Sequence, residues 1–93
     1  MLVNDPGLEV RNGRRDHISI ISDILLCAMK GVSKTQLMYK AGLSHTQLDK
    51  YMRRLVTSEL LETSNGGRRL VYKTTSKGKT FLETFDELVR LLN

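Results

Sequence analysis

The chain has 93 residues, 40% of them hydrophobic, with a net charge of +5, which fits one small globular domain rather than two. Cys27 is the only cysteine, so an intramolecular disulfide and a cysteine-rich zinc site are excluded and a reducing, cytoplasmic setting is expected. The longest apolar run, Ile24 to Met29, is far too short for a membrane span or signal peptide, and no membrane partner is expected.

A domain of this size buries only about 60 to 65% of its unfolded surface, so a partner chain is a natural source of further stability. The charge is unevenly placed. Between Lys30 and Lys79 there are 11 basic and 3 acidic residues, a net of +8, and the remainder carries a net of −3. A localised positive segment points to an acidic partner.

Residues 1–13 hold the only proline, two glycines and two asparagines without sustained periodicity, the pattern of a mobile tail. A first helix is expected from Asp16, a plausible N-cap, to about Lys30 before Gly31. Ile18, Ile21, Leu25 and Ala28 form its apolar stripe, and Ile20, Ile24 and Cys27 widen it.

The next segment carries the main signal. Ser33 with Gln36, and Ser44 with Gln47, each fit a capping box, in which the serine hydroxyl and the glutamine amide satisfy free amides at a helix start. Two starts 11 residues apart leave room for one short helix, Lys34 to Ala41. Gly42 lies where that helix ends, ready for a left-handed conformation. The result is a helix-turn-helix. The third helix continues to about Ser58, with Leu48, Met52, Leu55 and Val56 on the buried side. Opposite them stand Thr46, Lys50, Arg53 and Thr57, a stripe without an acidic residue.

The period then changes. Segments Leu60 to Ser64 and Arg68 to Thr74 flank Asn65-Gly66-Gly67, and Asn-Gly is a strong hairpin signal because both residues tolerate positive φ. Thr75 reads as the N-cap of a last helix, Ser76 to Leu92, with Phe81, Phe85, Leu88 and Leu92 in a 4-3-4 seam. Gly78 weakens its first turn.

Helix, helix-turn-helix, basic hairpin, helix is the order of a winged helix, a mainly α fold with a small β-hairpin. Ile20-Ile21-Ser22-Asp23-Ile24-Leu25, the segment from Lys34-Thr35 through Tyr51, and Thr75-Ser76-Lys77-Gly78 resemble the small archaeal winged-helix DNA-binding proteins of the Sulfolobus "10a" type. The block Leu37-Met38-Tyr39-Lys40-Ala41 followed by Leu43-Ser44 is the most specific part. The resemblance implies a homodimer paired through an antiparallel coiled coil of C-terminal helices. His45 replaces the aromatic residue usual after the serine, and a chain ending at Asn93 implies a short pairing helix. The expected division is a tail over 1–13, a winged helix-turn-helix domain over 14–75 and a dimerisation helix over 76–93.

Candidate DNA-contacting residues are Ser44, His45, Thr46, Gln47, Lys50, Arg53 and Arg54 on the third helix, with Arg68 and Arg69 on the wing. Gln47 suits bidentate adenine recognition, but the capping box explains it completely. His45 suits a base, a phosphate or plain exposure, and Arg54 a phosphate or water. Arg11, Arg14 and Arg15 suit an arm along the duplex or a solvated tail, and Glu9 and Asp16 on either side of them favour the tail. His17 lacks a second ligand at metal spacing, and Cys27 and Met52 read as core packing. Tyr39 and Tyr51 are expected to close the core edge with their hydroxyls free for water or phosphate. Phe81 and Leu82 should cover the first helix, leaving Phe85, Leu88, Val89, Leu91 and Leu92 as the dimer interface.

No nucleophile with an adjacent base, paired-carboxylate site or phosphate loop is recognisable, so neither an enzyme nor a cofactor is expected. The leading reading is a dimeric, sequence-tolerant or modestly specific double-stranded DNA-binding protein, a transcription regulator or small chromatin component. The rival is a winged-helix module that meets an acidic protein, since fold alone does not fix function.

Overall fold

The computed structural model describes residues 16–93; the tail over 1–13 and Arg11, Arg14 and Arg15 lie outside the described residues. The elements run α1 (His17–Cys27), α2 (Lys34–Ala41), α3 (His45–Thr57), β1 (Leu61–Gly66), β2 (Arg69–Thr74) and α4 (Ser76–Leu92). This is the mainly α architecture with one antiparallel hairpin that the sequence leads to expect.

Every helix begins at a side chain able to accept a free amide. Ser19 N donates to Asp16 Oδ1 at 2.8 Å, and Gly78 N to Thr75 Oγ1 at 3.0 Å. Both capping boxes are complete: Gln36 N donates to Ser33 Oγ and Ser33 N to Gln36 Oε1, and Gln47 and Ser44 repeat the exchange. Each such cap contributes about 1 kcal/mol. Gly42 ends α2 at φ +67°, its amide donating to Met38 O.

The first helix stops at Cys27, three residues short of the expected end. Its last carbonyls are taken by β2 instead of by further helix: Thr74 Oγ1 donates to Leu25 O at 2.6 Å and Thr74 N to Ala28 O at 3.0 Å. Gly31, at φ +96°, then turns the chain so that Val32 pairs with Tyr72 in an isolated antiparallel bridge. The segment before α2 is thereby tied to the wing.

The same Thr74 corrects the hairpin turn. Leu61 pairs with Thr74 and Gly66 with Arg69, so the loop is Gly67-Arg68, and Asn65 and Gly66 belong to β1. Gly67, at φ +86°, takes the first central position of a two-residue turn, where glycine is needed. A turn on Asn65 and Gly66 would set Leu61 opposite Leu70 and pull Thr74 off the α1 carbonyls.

The core joins Ile20, Ile21, Ile24, Leu25 and Ala28 of the α1 region to Val32, Leu37, Ala41, Leu48, Met52, Leu55 and Leu61, with Phe81 and Leu82 packed against it. Three expected members are outside it. Ile18 is exposed, because in the first turn of α1 it is the neighbouring His17 that reaches α3, through Tyr51. Val56 opens instead into the cleft between α3 and the wing, beside Thr63 and Tyr72. Tyr39 is 83% exposed on α2 and closes no core edge.

Gly78 has a stronger role than a weak first turn. The residue is buried, and a Cβ there would collide with Leu60 O and lie 2.6 Å from Thr74 Cγ2. Leu60 O accepts Thr75 N at 3.1 Å, so the obstructing carbonyl is itself held. Gly78→Ala is therefore expected to destabilise the fold by about 1 to 3 kcal/mol, although alanine is the better helix former. Thermal unfolding checks this; an unchanged or raised midpoint would contradict the close packing.

Candidate nucleic-acid interface

Leu48, Met52 and Leu55 anchor α3 in the core, and at helical spacing this forces Thr46, Lys50, Arg53 and Thr57 outward. All four are exposed, as are His45, Gln47 and Arg54. At the wing tip Arg68 and Arg69 are exposed beside Leu70, whose side chain is also in solvent.

The wing lies next to this face. One cleft between α2 and β2 is lined by Ser33, Lys34, Gln36, Arg69 and Tyr72, and another between α3 and the hairpin by Asp49, Arg53, Thr57, Thr63 and Tyr72. The first turn of α2, the outer stripe of α3 and the arginine-bearing strand therefore converge around Tyr72. These two clefts carry Lys34, Arg53 and Arg69.

Two of the sequence candidates are partly committed to structure. Ser44 Oγ accepts Gln47 N at 3.1 Å and Gln47 Oε1 accepts Ser44 N at 3.0 Å. A bidentate adenine contact requires both the oxygen and the nitrogen of the amide, and the Gln47 oxygen is engaged. His45 opens α3 and is exposed.

Asp49 changes the electrostatic picture. The stripe itself has no acid, but this carboxylate stands beside it, with Lys34 Nζ 2.6 Å from Oδ1 and Arg53 Nη2 3.3 Å from Oδ2. The Lys34 hydrogen bond and charge hold the Asp49 carboxyl below its ordinary range, with smaller help from the charges of Arg53 and His45. The i,i+4 spacing of Asp49 and Arg53 was available as a sequence signal. The Lys34 partnership, between helices, was not.

Tyr51 is likewise engaged: its hydroxyl and His17 Nδ1 share a 2.6 Å hydrogen bond, and the two rings pack with centroids 5.8 Å apart. His17 thus braces α1 on α3. Among the described residues no group of His, Cys, Asp and Glu could hold a metal ion, and no helix is long and apolar enough to cross a membrane.

Away from this surface, α4 packs on α1 through Phe81 and Leu82. Beyond them an open, largely apolar groove of about 530 Å³ runs between the two helices, lined by Leu26, Met29, Phe85 and Val89 among others. Leu88, Leu91 and Leu92 are exposed at 54%, 76% and 85%.

Comparison with known proteins agrees with the geometry. The fold superposes on Sso10a-2, a DNA-binding protein from Sulfolobus solfataricus, with TM-score 0.76 and 27% identity over 83% of this chain and 81% of that one. This match bears out the resemblance to the 10a type. An uncharacterised protein of Methanocaldococcus jannaschii, MJ0290, is 35% identical over 80 residues, covering 85% of this chain. The chain spans about a third of that relative's length, 36%. The fold is also that of a MarR mutant from E. coli complexed with operator DNA, with TM-score 0.62 and 20% identity over 89% of this chain and 58% of that one. The family model described as winged helix-turn-helix matches residues 14–93, and the chain belongs to the winged helix-turn-helix family.

Proposed function

We infer that the protein binds double-stranded DNA as a small transcription regulator or chromatin component, with α3 in the major groove and the wing on the backbone or minor groove. The observation that carries this reading is that the exposed Arg53 of α3 and Arg69 of the wing line two clefts that share Tyr72, with Lys50 exposed on the same helix as Arg53. A duplex neutralised by such cations releases counterions, which supplies sequence-independent affinity. Thr46, His45 and Arg54 border the same helix face, and the second helix of a helix-turn-helix presents its first turns to base edges. The DNA-bound MarR mutant and the DNA-binding Sso10a-2 support the reading by their shared fold.

Lys50→Ala and Arg53→Ala are expected to weaken duplex binding with the fold intact. A residue that touches only phosphate should lower the salt slope by about 0.9 and affect all sequences alike. Guanine recognition by Arg53 should instead give a sequence-dependent loss of about 1 to 3 kcal/mol. Replacing Arg68 and Arg69 together should act in the first way. Gel shifts across a salt series measure all three variants, and unchanged affinity throughout would contradict the assigned surface.

The reading includes a homodimer. Residues 14–75 serve as the DNA-binding unit, and within α4 (76–93) Phe85, Leu88, Val89, Leu91 and Leu92 form the pairing surface. A helix this short is marginal alone, so its exposed apolar residues need a surface to cover. Pairing would fix the separation of two recognition helices and hence of two half-sites. Sedimentation equilibrium is expected to give a dimer mass that Leu88→Glu reduces to a monomer; a monomeric parent would overturn the assignment.

A further inference from the structure

The Asp49 carboxylate is an unexpected group on a surface meant for phosphate. It faces three groups that carry or can acquire positive charge: Lys34 from α2, Arg53 one turn along α3, and His45 at the start of the same helix. Its effect on the two bases differs. The Lys34 ammonium is drawn in to 2.6 Å and its side chain is only 30% exposed, whereas Arg53 touches at 3.3 Å and remains 80% exposed.

Lys34 occupies the first position of α2. In a helix-turn-helix the first helix crosses the sugar-phosphate backbone, so this position is placed for a phosphate contact. A cation there also opposes the positive end of the helix dipole, which makes a nearby carboxylate the preferred partner in the free protein. Asp49 reaches across the turn to provide it. The neutralised pair lies beside the cleft that leads to Arg69 and Tyr72.

We propose that Asp49 limits backbone affinity, withholding Lys34 from the phosphate backbone while bracing Arg53 on the groove face. This rests on the DNA-binding reading and deepens it. Each phosphate contact adds affinity for every sequence equally, so withholding one lowers binding to all duplexes alike and leaves the ratio between sequences unchanged. The hydrogen bond and charge of Lys34, and to a smaller extent the charge of Arg53, also favour the ionised form of Asp49.

The test is a double-mutant cycle on the full chain, Asp49→Asn, Lys34→Gln and both together, measured by salt-dependent binding to a random-sequence duplex. Asp49→Asn should steepen the salt slope by about 0.9, one added phosphate contact, and raise random-duplex affinity several-fold. Enrichment from a randomised library should be unchanged in the same variant, because the added contact acts on every sequence alike. The double variant carries the parent's net charge and removes the ammonium, so it should return to the parent slope. Thermal unfolding of each variant establishes that folded proteins are compared. An Asp49→Asn slope equal to the parent's overturns the proposal. So does a gain that persists undiminished in the double variant, since simple relief of phosphate repulsion would then explain it. A parent that binds no duplex at low salt overturns the DNA reading itself, and with it this proposal; binding with unchanged slopes overturns only the role of Asp49.

Discussion

Thr74 is the joint between the end of α1 and the base of the wing. It is 2% exposed and donates its hydroxyl to Leu25 O and its amide to Ala28 O, so the base of the wing supplies a donor to Leu25 O and shares Ala28 O with the Gly31 amide. A buried carbonyl left without a donor costs about 1 to 3 kcal/mol, which makes this register strongly preferred over its neighbours. The next residue continues the joint: Thr75 N donates to Leu60 O, and Thr75 Oγ1 donates to Glu59 O and accepts Gly78 N. Lys77 adds its ammonium to Ser58 O at the carbonyl end of α3, where a cation is favoured. One short segment therefore sets where α1 stops, how the hairpin pairs, where α4 starts and how α3 is capped.

The consequence reaches the surface. Because β2 is fixed at its base by Thr74 and in its middle by the Val32–Tyr72 bridge, the wing has little freedom relative to α2 and α3. The backbone positions of Arg69 and of the α3 cations are thereby set relative to one another before any ligand arrives. Such pre-organisation lowers the ordering cost of binding. The charge follows the same division, with the segment from Lys30 to Lys79 at net +8 and Glu83, Asp86 and Glu87 on the outer part of α4. An approaching polyanion is steered toward the wing and away from the C-terminal helix.

What could be read from the sequence was what is encoded locally. Each capping box needs only residues three apart, so Ser33, Ser44 and both glutamines declare the helix starts without help from the rest of the fold. The positive φ of Gly42 follows from its place between them. The hairpin turn was not legible, because Asn65, Gly66, Gly67 and Arg68 offer several acceptable turns and the choice is made at the other end of the strands by Thr74. Gly78 looked like a weak helix residue for a similar reason: its requirement comes from Leu60 O, 18 residues earlier in the chain. Ile18 and Val56 fit the helical period, yet burial depends on what lies opposite, which the period does not contain. At the site, the outward stripe of α3 followed from its apolar face. The Lys34–Asp49 pair spans 15 residues and two helices, beyond the reach of any spacing rule.

The central claim is that the face built from α3, the first turn of α2 and the wing meets the duplex. An NMR titration of the full chain with a short duplex tests it most directly, through backbone amide shifts assigned residue by residue. The account predicts shifts concentrated at 44–54, at 33–36 and at 67–69, with the groove around Leu26, Phe85 and Val89 unaffected by DNA contact. Shifts confined to that groove and to α4, with the α3 face silent, would contradict it.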